Sequence, residues 1–336
     1  MRLAAVVAAA ALAIAATTGA RASEPFYAGK TVRVVIPADA GGVYGLYAQV
    51  VGPHLRRHMP GHPDIVPQYM PGGGGITAAN HLANVAPTDG TVLAMPHDSL
   101  VLYQMLRPDN VKYDARRFNW IGTIGGLAST ISVWHTSSVK SVEDATKARA
   151  ILGATGRGSY MYMVPRLMNV LLGTQFEMVT GYKGVAEIDI AMERGEVQGR
   201  GGSWLSWKST RPDWMQGNKV VHLVQIGHRK AADLPDVPLL VDLGRTEEER
   251  QMYRFVSSIG VIGRGLVLPA GVPAERVALW RDALTRTIAD PVFLADAKAR
   301  LIDVEPILGA EVEWAIAEVL ATPQPVVERL RSLIGS

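Results

Sequence analysis

The sequence predicts an α/β protein with two lobes, each a mostly parallel sheet flanked by helices, followed by a helical tail. Three observations carry this prediction. Short β-branched segments alternate with loops and helical patterns, which is the arrangement of repeated strand–helix units in a parallel sheet. The alternation occurs in two series, separated by glycines at positions 122, 125 and 126. From Pro273 to Leu333 the pattern is helical throughout.

The first series predicts three strands joined by two helices. Residues 32–36 form a β-branched run ending at Pro37, which is typical of a buried parallel strand. A helical pattern follows at 46–58 and stops at Pro60 and Gly61. The remaining predicted elements are strands at 65–69 and 91–95 and a helix that opens at the glycines 72–75 and runs through Val85.

The second series predicts further strands and helices of the same kind. A helix begins at Ser141, a second follows the loop 155–159 and runs through Leu172, and a third ends at Arg194. Residues 234–238 read as a rigid extended connector. The predicted strands are 150–154, 176–180, 220–226 and 256–262. On this basis lobe 1 comprises 23–124 with 257–336, lobe 2 comprises 125–256, and the lobe that holds the C-terminal helices stays open.

The first 22 residues have the three parts of a secretory signal. Arg2 precedes an apolar run from Leu3 to Ala16, and an Ala-x-Ala sequence ends at Ala22, where cleavage is expected. A membrane anchor is the alternative, but the run is shorter than the ~20 residues of a bilayer span. The mature chain is therefore expected in the periplasm.

Composition excludes several classes of protein. The chain has no cysteine, which rules out cysteine nucleophiles, thiolate metal sites and disulfide frameworks. Without Arg2 and Arg21 the 34 basic side chains become 32, against 31 acidic ones, so nucleic acid is not an expected partner. Dinucleotide, P-loop, zinc-protease and nucleophile-elbow motifs are all absent, and we expect no metal and no cofactor.

Four loops share one design, in which a strand end leads through glycine or serine into a helix. They lie at 38–45, 71–77, 155–160 and 181–185. Glycine allows backbone N–H groups to approach a ligand, and a helix N-terminus carries about half a positive charge. Such loops bind anions without lysine or arginine, although each one alone is also an ordinary turn. The presence of two such loops in each predicted lobe favours an anion-binding cleft between the lobes.

Ordered motifs along the mature chain resemble one family. The sequence is similar to the extracytoplasmic substrate-binding receptors of tripartite tricarboxylate transporters, the Bug or TctC family, from Gly29 to about residue 310. The order and spacing of the motifs make the resemblance specific. They are GKTVRVVIP at 29–37, GG at 41–42, MPGGGG at 70–75, APTDGT at 86–91, GYKG at 181–184, LPDVP at 234–238 and LPAGVP at 268–273.

The resemblance implies a two-lobed, type II-like periplasmic binding protein and not an enzyme. Such a receptor closes by hinge motion on a small carboxylate, here a di- or tricarboxylate or an aromatic acid, and delivers it as a monomer to membrane permease subunits. The candidate ligand contacts come from the loops, the third strand end and one aromatic residue. They are Ala38, Gly41, Gly42, Tyr44, Gly45, Gly74, Gly75, His97, Asp98, Ser99, Thr155, Gly156, Ser159, Tyr160, Tyr182, Lys183, Gly184 and Trp204.

Departures from the family pattern bear on the ligand. The family usually has an aspartate where this chain has Gly45, and an acidic residue where it has Gln198. His97 and Asp98 replace a small pair. Loss of a cleft carboxylate disfavours amino acids, whereas Arg200, Trp204 and Trp207 favour a larger or aromatic acid.

Two other functions remain open at this stage. One is an exported α/β hydrolase or isomerase that uses His97 and Asp98 as acid–base groups. The other is a receptor that senses a solute and signals through a partner protein. The sequence leaves the identity and affinity of the ligand undecided.

Overall fold

Two five-stranded sheets organise the chain in a computed structural model that describes residues 24–125, 128–227, 229–302, 304 and 306–334. The predicted signal sequence and Gly126 of the predicted lobe boundary lie outside the described residues. Among the residues described, no helix is both long and apolar enough to span a bilayer.

The first sheet has the strand order β2-β1-β3-β10-β4. The pairings of β1 with β2 and β3 are parallel, and those of β10 with β3 and β4 are antiparallel. The strand from the C-terminal part of the chain thus completes a sheet that the N-terminal part begins. The strands are β1 (Thr31–Ile36), β2 (Asp64–Tyr69), β3 (Val92–Ala94), β4 (Asn119–Thr123) and β10 (Gly265–Leu268).

The second sheet repeats this mixture of directions in the order β7-β6-β8-β5-β9. The pairings of β6 with β7 and β8 are parallel, and β5 lies antiparallel to β8 and β9. The strands are β5 (Ser129–Trp134), β6 (Arg149–Ala154), β7 (Gln175–Thr180), β8 (Gly199–Ser203) and β9 (Val220–Ile226). The expected α/β class with two sheets is confirmed, but the prediction that each sheet is mostly parallel is wrong, because each has two parallel and two antiparallel pairings.

Helices flank both sheets. In chain order they are α1 (Val43–His58), α2 (Ile76–Asn84), α3 (Leu100–Leu106), α4 (Val142–Lys147), α5 (Tyr160–Leu172), α6 (Val185–Glu193), α7 (Trp204–Thr210), α8 (Pro212–Gln216), α9 (Glu247–Ser257), α10 (Ile259–Ile262), α11 (Ala274–Ala289), α12 (Pro291–Ala299), α13 (Gly309–Leu320) and α14 (Gln324–Ile334). Short 3-10 turns occur at Pro108–Asn110, Ala115–Arg117 and Leu240–Leu243.

The helical tail is shared between the sheets. Helices α11 and α12 pack on α1, and α13 packs on β4, all beside the first sheet. Helix α14 instead packs on α5, and its buried side chains Val327, Leu330 and Ile334 join the core of the second sheet. The last helix therefore lies with the second sheet, whereas its three predecessors lie with the first.

The predicted strand at 256–262 is wrong. These residues belong to α9 and α10, and the strand that follows, β10, begins only at Gly265. In α9 the buried residues Met252, Phe255 and Val256 recur at the spacing of one helix face. The hydroxyl of Thr246 accepts the N–H of Glu249 and caps the helix, which is a start signal that the apolar run alone does not reveal.

Candidate ligand-binding cleft

The glycine loops of the two sheets meet each other. A methyl group added to Gly156, after β6, would lie 2.6 Å from the backbone nitrogen of Gly74, after β2. One added to Gly41 would lie 2.9 Å from Cβ of Ala186, at the start of α6. Because the loops at the strand ends touch without room for a side chain, the structure is a closed form of a two-lobed molecule.

The closed loops leave a cavity of about 30 Å³ between the sheets. That volume has room for about two water molecules. Eight of the predicted contacts line it, together with eight residues that the sequence did not single out. The predicted ones are Ala38, Gly42, Tyr44, His97, Asp98, Thr155, Tyr160 and Gly184; the others are Pro37, Val43, Met161, Val185, Gly202, Ser203, Ser206 and Arg264.

A buried charged cluster forms the wall on the side of the first sheet. The Oδ1 atom of Asp98 lies 2.9 Å from Nδ1 of His97, and its Oδ2 atom lies 3.5 Å from Nη1 of Arg264. The Tyr44 hydroxyl accepts the backbone N–H of Asp98 at 3.0 Å. Burial alone would raise the pKa of the Asp98 carboxyl, but His97, Arg264 and the Ser99 hydroxyl outweigh it and lower the pKa. Asp98 is therefore a carboxylate at neutral pH.

Arg264 is the charged residue among the lining residues that sequence reasoning missed. Its side chain is 3% exposed, and its guanidinium lies over the Tyr44 ring at 4.0 Å. It stands between Gly263 and Gly265 directly before β10, a stretch that carries no motif. The sequence predicted anion binding that needs no side-chain cation, and the structure places Arg264 in this wall.

Hydroxyl groups form the opposite wall. The Oγ1 atom of Thr155 and the Oγ atom of Ser206 are buried and have no hydrogen-bond partner among the described residues. Ser203 caps α7 by accepting the N–H of Ser206 at 3.1 Å. A hydrogen bond also crosses between the walls, from the N–H of Tyr160 to Oγ of Ser99 at 2.9 Å.

Two helices begin where the loops of the two sheets meet, and neither has a side-chain cap at its N-terminus. They are α1, preceded by Gly42, and α6, preceded by Gly184. The carboxyl of Asp39 packs directly against Gly184, where an added methyl group would collide with it. Burial raises the pKa of Asp39, hydrogen bonds from the backbone of Gly41 and Gly42 partly oppose this rise, and the nearby Glu187 adds to it. The protein's own carboxyl thus lies where the sequence placed a ligand's acid group.

The other ten predicted contacts lie outside the cavity wall. Gly74, Gly75, Gly156 and Ser159 support the loop packing, and Gly41 packs on Ala186. Gly45 lies inside α1, close against the carbonyl of Ala40. Lys183 is exposed and pairs with Glu187, whereas the indole N–H of Trp204 donates to Asp233 at 2.6 Å. The last two of the ten, Ser99 and Tyr182, are also not among the residues that line the cavity.

The large side chains expected to favour an aromatic acid pack behind the cavity. Arg200 is fully buried, donates to Asp189 at 2.6 Å and stacks on Trp207 at 3.6 Å. Arg211 binds the second oxygen of Asp189 at 2.9 Å. These contacts support β8 and α7, which carry Gly202 and Ser203 to the cavity wall.

Two sheets whose glycine loops meet over a small cavity have the arrangement of a two-lobed solute-binding protein. The family model described as "Tripartite tricarboxylate transporter family receptor" (TctC) matches residues 50–330, and the chain belongs to this family. The resemblance read from the motifs is thereby confirmed, and so is its role as a solute-binding receptor. A comparison with curated proteins found no match.

Solved structures confirm the fold. The periplasmic binding protein BugD is 19% identical with a TM-score of 0.71, and the match covers 91% of this chain and 98% of that one. Rpa4515 of R. palustris, solved with adipate, is 19% identical with a TM-score of 0.67 over 91% and 98% of the two chains. MatC of Rhodopseudomonas palustris, solved with bound malate, is 21% identical with a TM-score of 0.66 over 91% and 99%.

Proposed function

We propose that this receptor captures a small carboxylate between its lobes in the periplasm and delivers it to a membrane transporter of the tripartite tricarboxylate type. The observation that carries the proposal is the closed cavity, where hydrogen-bonding groups on both walls have no partner among the described residues. The hydroxyls of Thr155 and Ser206 lie on one side and Nε of Arg264 on the other, although Nη1 of Arg264 donates to Asp98. Donors of this kind fit a ligand rich in oxygen acceptors.

The family supplies the class of ligand. Similar structures hold malate and adipate, both small carboxylates. In this chain the anion would lie near Arg264, because a guanidinium favours negative charge, whereas the carboxyl of Asp39 already lies beside the starts of α1 and α6. The family supports the proposed transporter partner, and the signal pattern of residues 1–22 supports the proposed periplasmic location.

Hinge closure is the proposed mechanism of capture. We take the lobes as 23–124 with 257–336 and 125–256, except that α14 packs with the second lobe. Their connections lie side by side, since a methyl group on Gly263 would collide with the carbonyl of Gly125. The closed form adds contacts from the second wall, including the bond from Tyr160 to Ser99. A ligand that touches both walls gains affinity only when the lobes close, and this difference drives closure.

A binding screen tests the proposal. The mature protein is titrated calorimetrically with mono-, di- and tricarboxylates and with aromatic acids, and its Tm is recorded with each. At 100 times its Kd a ligand adds about 2.7 kcal/mol of stability. X-ray scattering should show a smaller radius of gyration with the ligand, and the recovered acid should be chemically unchanged.

A matched pair of variants locates the site. Thr155→Val removes a cavity hydroxyl and should weaken binding about tenfold, whereas Thr285→Val on the exposed face of α11 should not. The proposal is overturned if no acid binds, or if the acid that binds is converted to a product.

A further inference from the structure

Arg264 is a buried cation whose guanidinium is only partly paired with other groups of the protein. Its single ion pair, to Asp98, is long at 3.5 Å, and its Nε atom has no hydrogen-bond partner among the described residues. A buried charge normally needs close pairing and full hydrogen bonding. The arrangement therefore leaves part of the guanidinium available to another acceptor.

Asp98 does not depend on Arg264 in the same way. Its Oδ1 atom lies 2.9 Å from Nδ1 of His97 and accepts the Ser99 hydroxyl at 3.3 Å. The carboxylate therefore has hydrogen-bond and charge partners other than Arg264. This asymmetry separates Arg264 from an ordinary internal counter-ion.

The placement of Arg264 suits a ligand anchor. The guanidinium lines the cavity, and its stacking on Tyr44 at 4.0 Å fixes the plane of its donors. A planar guanidinium presents paired N–H groups that match the two oxygens of a carboxylate. The backbone carbonyl of Arg264 accepts the N–H of Ile124 at 3.3 Å, so the anchor also lies where the connections between the sheets meet.

Building on the proposed function, we infer that Arg264 pairs directly with the acid group of the ligand, while the hydroxyls of Thr155 and Ser206 bind a second oxygen of the same molecule. The cavity has room for only about two waters, so a bound ligand must hold the lobes further apart than they lie here, and a short ligand separates them least. The ligand class is thus a short-chain carboxylate that carries a hydroxyl or keto oxygen. Lactate is the probe, with lactamide as its uncharged analogue and propionate as the acid without the hydroxyl.

The experiment must distinguish a ligand-binding role of Arg264 from a structural role as the counter-ion of Asp98. Loss of Arg264 alone cannot do this, because it leaves the negative charge of Asp98 with one cation fewer and destabilises the fold whichever role is correct. The double variant R264Q D98N removes both charges and is compared with the wild type by unfolding and by calorimetry. An anchor predicts recovered stability but a Kd for lactate raised about 10- to 100-fold. It also predicts that the preference for lactate over lactamide disappears. The matched control is Arg286→Gln, an exposed arginine of α11 that should change neither quantity.

The single variant Asp98→Asn gives a result of opposite sign. It removes the anion that competes for Arg264, so an anchor predicts tighter binding of lactate, whereas a counter-ion predicts lower stability without a gain in affinity. The inference is overturned if the double variant keeps its affinity and its preference for the acid, and the proposed function then still stands. A wild type that binds longer acids but not lactate overturns the short-chain assignment, and one that binds no acid overturns both proposals.

Discussion

Burial keeps the His222 imidazole neutral within the second sheet. Its Nδ1 atom lies 2.7 Å from the Ser132 hydroxyl, and the Trp204 ring packs edge-on at 5.1 Å. Burial lowers its pKa to about 4, and the nearby positive charge of Arg200 adds to the effect. Since the unfolded chain binds a proton near the ordinary value of 6.5, protonation favours the unfolded state at acidic pH.

The stability of the protein should therefore fall as the pH drops from about 6.5 towards 4. Between pH 7 and pH 5 we expect His222 to remove about 2 kcal/mol from the free energy of unfolding. Urea unfolding of wild type and His222→Gln at the two pH values measures this, and the variant should show a smaller loss. An equal loss in both proteins would show that His222 is not the source, and the exposed His135→Gln serves as the control.

At the scale of single elements, the glycine loops control how closely the lobes approach. Gly156 has no positive φ, so its lack of a side chain serves the contact with Gly74 and not the local backbone conformation. A methyl group there would meet backbone atoms of the opposite loop, which cannot move aside as a flexible side chain can. Closure is therefore more sensitive to this position than folding is.

Gly156→Ala should hold the lobes apart without unfolding either sheet. We expect a Tm close to that of the wild type, affinity for the ligand at least tenfold weaker, and a smaller decrease of the radius of gyration when ligand is added. Calorimetry and X-ray scattering measure the last two quantities. Gly52→Ala, where an added methyl group makes only ordinary contacts inside α1 and β2, is the matched control. Wild-type affinity in Gly156→Ala would contradict the closed geometry.

At the scale of the whole molecule, the C-terminal helices tie the two sheets together. Helix α13 packs on β4 and on α3, and α14 packs on α3 and α5. Arg331 of α14 also donates to the carbonyl of Met105 near the end of α3. The end of the chain therefore stabilises both sheets, and its last helix belongs to the core of the second.

Leu330→Ala should destabilise the protein by about 2–5 kcal/mol, because Leu330 is fully buried and its loss leaves a cavity between α14 and α5. Denaturant unfolding measures the change. Leu294→Ala on α12, at a side chain 41% exposed, should cost much less. Similar losses in the two variants would argue that α14 is only loosely attached.

Much of this architecture could be predicted from local sequence patterns. The β-branched runs before Pro37 and at 150–154 form β1 and β6, and the glycine loops after them lie at the cleft. Strand β8 escaped prediction because its sequence GRGGS has little strand propensity, and it forms between β5 and β6. The Gly-Gly-Ser run at the end of β8, directly before α7, is the sequence feature from which a position of Ser203 at the cavity could have been predicted.

The sequence by itself determined the family, through the order and spacing of its motifs, and most of the strands, helices and glycine loops, through patterns of neighbouring residues. Only the tertiary structure decided what the cavity contains. Arg264 reaches Asp98 across 166 positions of the chain, and Asp39 reaches Gly184 from the opposite lobe. Such contacts arise when distant strands of one sheet, or the loops of the two sheets, are brought together, and no local pattern encodes them.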